Sequence, residues 1–274
     1  MTIDSHMHFW QYQEIKDEWI TEEMKILKKD YLPETIAPSL RRNGIDAVVA
    51  VQASQSELET HFLVELSRTH DMIRGVVGWI DLQNDNIQER LEYFSRYPII
   101  RGWRHLIQGE PDDFMKREAF RRGIRALHPF DQTFDILIYH HQLKAALDFV
   151  AAFPEQQFVI DHCAKPGIAE KKIDEWKIHI REMARHPGVY CKISGLLTEA
   201  KWKEWSPADF YPYLDVVFEA FGTDRILFGS DWPVILLSGM YVQWKSLIEK
   251  YMENASEDDK VKLFGANAER FYTL

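Results

Sequence analysis

Residues 2–9 read TIDSHMHF, a short run that ends in two histidines, and seven comparable β-branched runs follow it along the chain. They read IDAVVAVQA (45–53), IRGVVGWIDL (73–82), PIIRGWRHL (98–106), TFDILIYHH (133–141), QFVIDHC (157–163), GVYCKISG (188–195) and DRILFGSDWPV (224–234). The segment after each run is long enough for a helix. Eight β/α units in a chain of 274 residues predict an α/β fold, a (β/α)8 TIM barrel, rather than an open doubly wound sheet.

The segments between these runs carry helix signals. Ser56 precedes an apolar periodic stretch and has Glu59 three residues later, which is the pattern of a capping box. Gly222 ends the stretch that begins at Ser206 and is predicted to be its C-cap. No internal repeat, low-complexity tract or Pro/Gly-rich linker divides the chain. We therefore expect residues 1–274 to form a single domain.

Composition and charge exclude several classes of function. The 33 Lys and Arg against 43 Asp and Glu give a net charge of -10, which argues against nucleic acid or an anionic membrane as a partner. Two cysteines exclude a disulfide framework and favour a reducing compartment. The first ten residues lack the pattern of a signal peptide, and no apolar run approaches the ~18 residues that span a bilayer. These features predict a cytoplasmic protein.

A pair of histidines closes the first run. In a strand, His6 and His8 point to the same face because side chains alternate with a period of two. Two neutral imidazoles at this spacing can bind one divalent metal ion. The pair could equally be two ordinary histidines at the end of a strand, so its interpretation depends on the residues that accompany it.

Polar residues also end the sixth and eighth runs. Asp161 and His162 follow an apolar run in DHCAKP, and Asp231 follows another in GSDWP. The carboxyl ends of barrel strands form the face where active sites lie, and charged groups there need a partner or a chemical task. With the two histidines of the first run, they predict one site. Asp231 and His162 are its predicted catalytic residues, and Asp231 would take a proton from water as general base.

These motifs together resemble the amidohydrolase superfamily, and within it the sugar-lactone hydrolases that include L-fuconolactonase-like and L-rhamnonolactonase-like enzymes. IDSHMHFW, VIDHCAKP, LFGSDWPV and the terminal GANAERFY occur in the same order over nearly the whole chain. The resemblance implies a distorted (β/α)8 barrel of the metal-dependent-hydrolase type, with functional residues at His6, His8, His162 and Asp231. It also implies that the protein opens a sugar lactone, an aldonolactone, to the free acid in carbohydrate catabolism.

The fourth run departs from the superfamily pattern. Many members carry a lysine or glutamate there that bridges two metals, whereas this chain has Arg104 and His105. We expect one divalent metal, zinc before others, or none. Without a metal, Arg104, His105 and a protonated His162 would stabilise the oxyanion of the tetrahedral intermediate.

Aromatic and polar residues near the run ends are candidates for substrate binding. Tryptophan faces can stack on a sugar ring, and amide or cationic side chains can bind its hydroxyls. Of the adjacent His140 and His141, alternation allows one to face the site, and the sequence context favours His141. The predicted substrate-binding residues are Trp10, Gln52, Trp103, Arg104, His105, His141, Lys165 and Trp232.

Two alternatives to a lactone hydrolase stay open at this point. One is a metal-dependent decarboxylase of an unsaturated or aromatic acid on the same barrel. The other is a non-catalytic sugar-binding barrel, which a general base beside a metal-binding pair disfavours. The sequence leaves the oligomeric state open, a homo-oligomer included.

Overall fold

A computed structural model describes all 274 residues and contains one sheet of eight parallel strands in the order β1 to β8. The strands are β1 (Ile3–Met7), β2 (Ala47–Val51), β3 (Ile73–Gly78), β4 (Ile100–His105), β5 (Thr133–Ile136), β6 (Phe158–Ile160), β7 (Val189–Ile193) and β8 (Ile226–Phe228). Each lies inside one of the eight predicted runs. The predicted α/β barrel is therefore confirmed.

Helices surround the strands on the outside of this sheet. They are α1 (Pro33–Arg42), α2 (Glu57–Thr69), α3 (Ile87–Phe94), α4 (Glu118–Arg125), α5 (Leu143–Ala151), α6 (Asp174–Met183), α7 (Leu196–Glu199), α8 (Tyr211–Phe221), α9 (Tyr241–Tyr251), α10 (Glu257–Val261) and α11 (Asn267–Tyr272). The Ser56 hydroxyl accepts a hydrogen bond from the amide of Glu59 at the start of α2, and Gly222 ends α8 with a φ of +63°. Both predicted caps are present. No helix of the chain combines the length and the apolar character that a membrane span requires.

The barrel is distorted where its first and last strands meet. No regular ladder joins β1 to β8, and the seam is closed by single hydrogen bonds. The amide of His8 donates to the carbonyl of Trp232 over 2.7 Å, and the amide of Asp231 donates to the carbonyl of His6 over 2.9 Å. This seam brings the two histidines of β1 next to the segment that follows β8.

Apolar side chains fill the space between strands and helices, and a second apolar cluster fills the lower barrel. In that second cluster Val49, Val77 and Leu227 pack against Phe271 and Tyr272 of α11. Above it the inward-facing side chains become polar and remain buried. These are Asp4, His6, Arg104, Asp135, Asp161 and Lys192. The barrel therefore carries its charged groups toward the carboxyl ends of its strands, where the predicted site lies.

Candidate active site

A cavity of about 210 Å³ opens at the carboxyl ends of the strands. The predicted residues His8, His162 and Asp231 all reach it, and the buried ring of His6 lies directly beside them. Its full lining consists of His8, Trp10, Trp19, Ala53, Arg104, Leu106, Gln108, Leu137, His162, Lys165, Asp231 and Val234. The structure thus brings together the four residues that the sequence placed in one site.

Three of these side chains present ligand atoms to a common point. The Nε2 atoms of His6 and His8 lie 3.2 Å apart. Asp231 Oδ1 lies 3.2 Å from His8 Nε2 and 3.9 Å from His6 Nε2. Two imidazole nitrogens and one carboxylate oxygen at these separations match the donor set of a zinc site that keeps one position open.

The other ring nitrogens favour the tautomers that a metal needs. His8 Nδ1 lies 2.8 Å from the carbonyl of Val51, so it donates its hydrogen there and leaves Nε2 as an acceptor. His6 Nδ1 lies 3.3 Å from Asp161 Oδ1 and 3.1 Å from Lys192 Nζ. In the tautomer that donates to Asp161, Nε2 is an acceptor and lies 3.2 Å from Arg104 Nη1. Burial lowers the pKa of His6 well below its ordinary value, against the opposing charge of Asp161. The lone pairs of His6 Nε2, His8 Nε2 and Asp231 Oδ1 then lie close together, and the guanidinium of Arg104 is the protein cation that faces them.

His162 lies beside this cluster in an unusual backbone conformation. Its φ is +54°, and its Nδ1 lies 2.8 Å from the hydroxyl of Ser194. A Cβ at Gly195 would come within 2.5 Å of the His162 ring, so the glycine is required for this close approach. Burial lowers the pKa of His162 to about 4, although the charges of Asp231 and Asp161 oppose the shift. His162 is therefore neutral near pH 7.

Asp231 is ionised under the same conditions. Burial raises its pKa, but the electrostatic attraction of the surrounding imidazoles, His162 first, outweighs burial, and the net pKa is below the ordinary value. Its Oδ1 faces the histidines, whereas no protein group hydrogen-bonds to Oδ2. Because Asp231 lines the cavity, Oδ2 is the basic atom available to a molecule bound there.

A buried ionic network lies beneath the cluster, and three of its members, Lys192, Asp135 and Tyr272, were not predicted. Arg104 Nη1 lies 3.1 Å from Asp161 Oδ2, and Lys192 Nζ lies 3.0 Å from Asp161 Oδ1. Lys192 also contacts Asp135 Oδ2 over 2.5 Å, and this same oxygen accepts a hydrogen bond from the hydroxyl of Tyr272. Burial raises the pKa of Asp161, but the attraction of Lys192 and of His6 prevails and the net pKa is well below the ordinary value.

Comparison with known proteins gives this arrangement its family. A family profile described as amidohydrolase matches residues 3–274, nearly the whole chain. The chain belongs to the amidohydrolase family. An L-fucono-1,5-lactonase of Burkholderia multivorans is 38% identical over 286 residues, covering 100% of this chain and 96% of that protein. An L-fucono-1,5-lactonase of Burkholderia ambifaria is 33% identical over 277 residues, covering 99% and 95%.

A solved structure agrees with these sequence matches. The crystal structure of an amidohydrolase from Burkholderia multivorans with bound zinc has a TM-score of 0.96 to this chain at 38% identity. The match covers 100% of this chain and 99% of that one. The resemblance to this superfamily, and to its sugar-lactone hydrolases, is confirmed.

Within this amidohydrolase barrel, three of the eight predicted substrate-binding residues line the cavity. Trp10 is buried and lines the cavity, and its Nε1 donates to the carbonyl of Lys29. Arg104 and Lys165 place two cationic groups at the wall. Lys165 lies 3.9 Å from Glu199 Oε1, and burial raises the pKa of Glu199.

Trp103 and His105 do not face the cavity, so their predicted role in substrate binding is wrong. The side chains of β4 alternate, and since Arg104 points into the barrel, both neighbours point outward. Trp103 Nε1 donates to Gln132 Oε1 over 2.5 Å, and His105 Nε2 lies 3.0 Å from Glu110 Oε1.

Trp232 and Gln52 are also buried away from the cavity, contrary to prediction. The Trp232 ring packs edge-to-face on Tyr31 at 5.2 Å and lies 5.9 Å from Phe9. Gln52 Nε2 donates to the carbonyl of Arg104 over 3.2 Å, so it joins β2 to β4 beneath the cavity floor. Both side chains support the site by packing behind the residues that line the cavity.

The choice between the two adjacent histidines is also wrong. β5 ends at Ile136, so strand alternation no longer applies at these positions. His141 points to solvent, 3.8 Å from Asp112 Oδ1. His140 Nδ1 lies 2.9 Å from the carbonyl of Lys165 and lies nearer the cavity, although it does not line it.

Trp19 and Gln108 line the cavity but were not predicted. Trp19 comes from the long segment between β1 and α1, where no strand or helix pattern indicated its position. Its ring meets the Trp10 ring edge-on at 6.0 Å, and its side chain is 39% exposed. Gln108 follows β4 in a short 3-10 turn, Ile107–Gly109. Neither position could be assigned without knowing how the loops fold over the barrel.

Proposed function

We propose that this chain hydrolyses a sugar lactone to the free acid, and that it acts as a single domain in carbohydrate catabolism. The observation that carries the proposal is the convergence of His6, His8 and Asp231 at one cavity, in a chain that matches L-fucono-1,5-lactonases over its whole length. The cavity is small and has an aromatic wall, which suits a monosaccharide. A small-molecule lactone is the partner; nucleic acid and membranes are not.

The ligand atoms of the site fit one divalent metal ion. Because they are two imidazole nitrogens and one carboxylate oxygen, the ion that suits them best is zinc. His6 Nε2, His8 Nε2 and Asp231 Oδ1 would hold it. When bound, the ion supplies positive charge that polarises the lactone carbonyl. The similar amidohydrolase crystal structure with bound zinc supports this assignment.

Asp231 carries the proton transfers. Its Oδ2 accepts a proton from the water that attacks the lactone carbonyl carbon, and a tetrahedral intermediate forms. When the carbon–oxygen bond of the ring breaks, the protonated Asp231 returns this proton to the leaving ring oxygen. The pKa of Asp231 lies below its ordinary value, so the carboxylate is the basic form at pH 7.

Neutral and cationic groups around Asp231 stabilise the charge that develops on the carbonyl oxygen. His162 can donate from Nε2 when the Ser194 hydroxyl donates to its Nδ1. Arg104 and Lys165 bring fixed positive charge to the cavity wall. Trp10 and Trp19 offer aromatic surface to the C–H face of the sugar.

The test is a screen of aldonolactones with a pH indicator, using metal-stripped and zinc-loaded protein. We expect release of acid from at least one aldonolactone, and loss of that activity in Asp231→Asn. Release of CO2 from an unsaturated or aromatic acid, with no lactone opened, would support the decarboxylase instead. Saturable sugar binding without turnover of any lactone would make the protein a binding barrel.

A further inference from the structure

A second cavity lies at the opposite end of the barrel from the candidate active site. It has a volume of about 480 Å³ and is formed where β3 and β4 begin and α2 ends. The active-site cavity opens at the carboxyl ends of the same strands, so the two do not share a wall. The proposed lactone chemistry makes no use of this second cavity.

Four arginines lie on the wall of this cavity. Arg68, Arg74, Arg96 and Arg101 line it together with one acidic side chain, Asp71. Arg68 is paired with a glutamate of its own helix, but the other three arginines have no carboxylate within 4.0 Å. In a chain with a net charge of -10, such a concentration of unpaired guanidinium groups attracts a small anion.

Arg101 gives the strongest indication of a missing acceptor. Its Nε atom is buried and has no hydrogen-bond partner in the protein. Burial also lowers the pKa of its guanidinium. A buried N–H group of a charged side chain without an acceptor is costly, and a small shift of the Arg101 side chain toward an anion in the cavity would give it one.

Apart from Ser67, the rest of the wall is apolar, so the cavity suits an anion that carries an organic group. Val64, Ile73, Tyr97 and Pro98 face the same space, and the guanidinium of Arg68 lies 5.8 Å from the centre of the Tyr97 ring. The volume lies in the range of small-molecule sites and exceeds what inorganic phosphate alone would fill. We propose that this arginine cavity binds a small organic phosphate, with its phosphate on the arginines and its organic part on Tyr97.

Calorimetric titration of the full-length, metal-loaded protein tests the proposal. The probes are inorganic pyrophosphate, AMP, and adenosine as the uncharged counterpart of AMP, all at constant ionic strength. We expect one saturable site for pyrophosphate and for AMP, and none for adenosine. The double variant Arg74→Gln/Arg101→Gln should weaken both anions about tenfold or more, because it removes charge-assisted hydrogen bonds.

The matched control is the double variant Arg41→Gln/Arg42→Gln, which removes the same charge from an exposed part of α1. It should bind pyrophosphate like the unmodified protein. The double variant could lose binding because it misfolds, so the single variant Arg74→Gln is included. Arg74 is exposed, and the thermal midpoint and lactone turnover of this variant should be unchanged. The proposal is overturned if AMP does not bind saturably, with or without binding of pyrophosphate, or if Arg74→Gln/Arg101→Gln binds both anions unchanged. It is also overturned if sedimentation shows a dimer that Arg74→Gln/Arg101→Gln converts to a monomer, because a second copy of the chain would then cover the cavity.

Discussion

At the residue scale, the site depends on the carboxylate of Asp231, whose two oxygen atoms have different surroundings. Asp231 directs Oδ1 to the histidines and leaves Oδ2 to the cavity. Asp231→Asn keeps the shape of the side chain but removes the basic oxygen. General-base help is typically worth ~10²–10⁴ in rate, so we expect kcat to fall by about this range. Steady-state kinetics, zinc content and a thermal midpoint on the same preparation separate loss of the general base from loss of the metal and from loss of stability.

The control for Asp231→Asn is Glu110→Gln, which removes a carboxylate that faces His105 outside the cavity. It should retain kcat. A folded Asp231→Asn protein with near-normal turnover would remove Asp231 from the chemistry and leave His162 as the candidate base.

Asp4 joins the segment that carries His6 and His8 to the segment that carries Asp231 through a single oxygen atom. Its Oδ1 accepts hydrogen bonds from the amides of His6 and Ser230, each over 3.0 Å. Asp4→Ala would leave two buried amides without acceptors, at a cost of roughly 1–3 kcal/mol each. We expect Asp4→Ala to lower kcat and zinc affinity, and Asp4→Asn, which keeps an acceptor, to restore most of both.

A role of Asp4 limited to overall stability makes a different prediction. In that case the two Asp4 variants would differ in thermal midpoint, while kcat and zinc content per folded chain would stay equal to those of the unmodified protein. Equal kcat in Asp4→Ala and Asp4→Asn would therefore contradict the positioning role.

Asp135 gives a prediction about pH. Burial raises its pKa from 3.8 to about 6, although Lys192 opposes the shift. Between pH 4 and 6 the folded protein therefore binds more protons at this site than the unfolded chain, and this site reduces stability as the pH rises. Asn resembles the protonated form of Asp. We therefore expect the stability of Asp135→Asn, compared with that of the unmodified protein at the same pH, to be greater at pH 8 than at pH 4.5.

Urea denaturation at the two pH values measures this difference, and Asp148→Asn, an exposed carboxylate on α5, is the control without a trend. If the Asp135–Lys192 contact stabilises the fold chiefly as an ion pair, Asp135→Asn will instead become more destabilising toward pH 8.

Which residues of the site could be predicted depends on strand geometry. His6, His8, His162 and Asp231 follow apolar runs directly, and position along the chain was enough to bring them together. Trp103 and His105 were predicted to line the cavity together with Arg104, which lies between them. Because side chains alternate along β4, these three residues cannot all face the same side of the sheet. Lys192 is one residue from the end of β7, and its inward direction depends on a register that the sequence does not display.

At the scale of elements, all eight strands were predictable because each combines β-branched residues with a polar ending. Their ends were not, since the predicted runs continue into loops. β6 stops at Ile160, and from His162 the backbone turns into the left-handed region with positive φ. That turn is fixed by packing against Gly195, a contact between distant parts of the chain.

The segment between β1 and α1 forms a part of the cavity wall that the strands do not form. It carries Trp19 to the cavity, where the ring lies edge-on to Trp10. We expect Trp19→Ala to raise KM for the lactone and to leave kcat nearly unchanged, because it removes contact surface without touching the reacting atoms. Trp19→Phe should keep most of the affinity. A fall in kcat at constant KM in Trp19→Ala would show that the segment acts on the chemical step instead.

At the scale of the whole molecule, the charges inside the barrel limit the metal to one ion. A second group of possible ligands contains His6, Asp161 and His162. However, Arg104 lies 3.1 Å from one oxygen of Asp161, and Lys192 lies 3.0 Å from the other. Each oxygen of Asp161 already faces a cation, so this second group offers a metal ion no free carboxylate. The expectation of at most one metal, made because the fourth strand lacks a bridging lysine or glutamate, agrees with this arrangement of charges.

Elemental analysis should therefore find no more than one zinc per chain after loading and desalting. Because zinc binds the folded state, free zinc at about a hundredfold its Kd should raise the free energy of unfolding by about 2.7 kcal/mol. For a chain of this size that corresponds to roughly 5 °C or more in thermal midpoint, which a chelator should reverse. His8→Ala removes one ligand and should abolish the zinc response, whereas His141→Ala, on an exposed side chain, should keep it. Two equivalents of zinc per chain, or a full response in His8→Ala, would show that the ion is held by other residues.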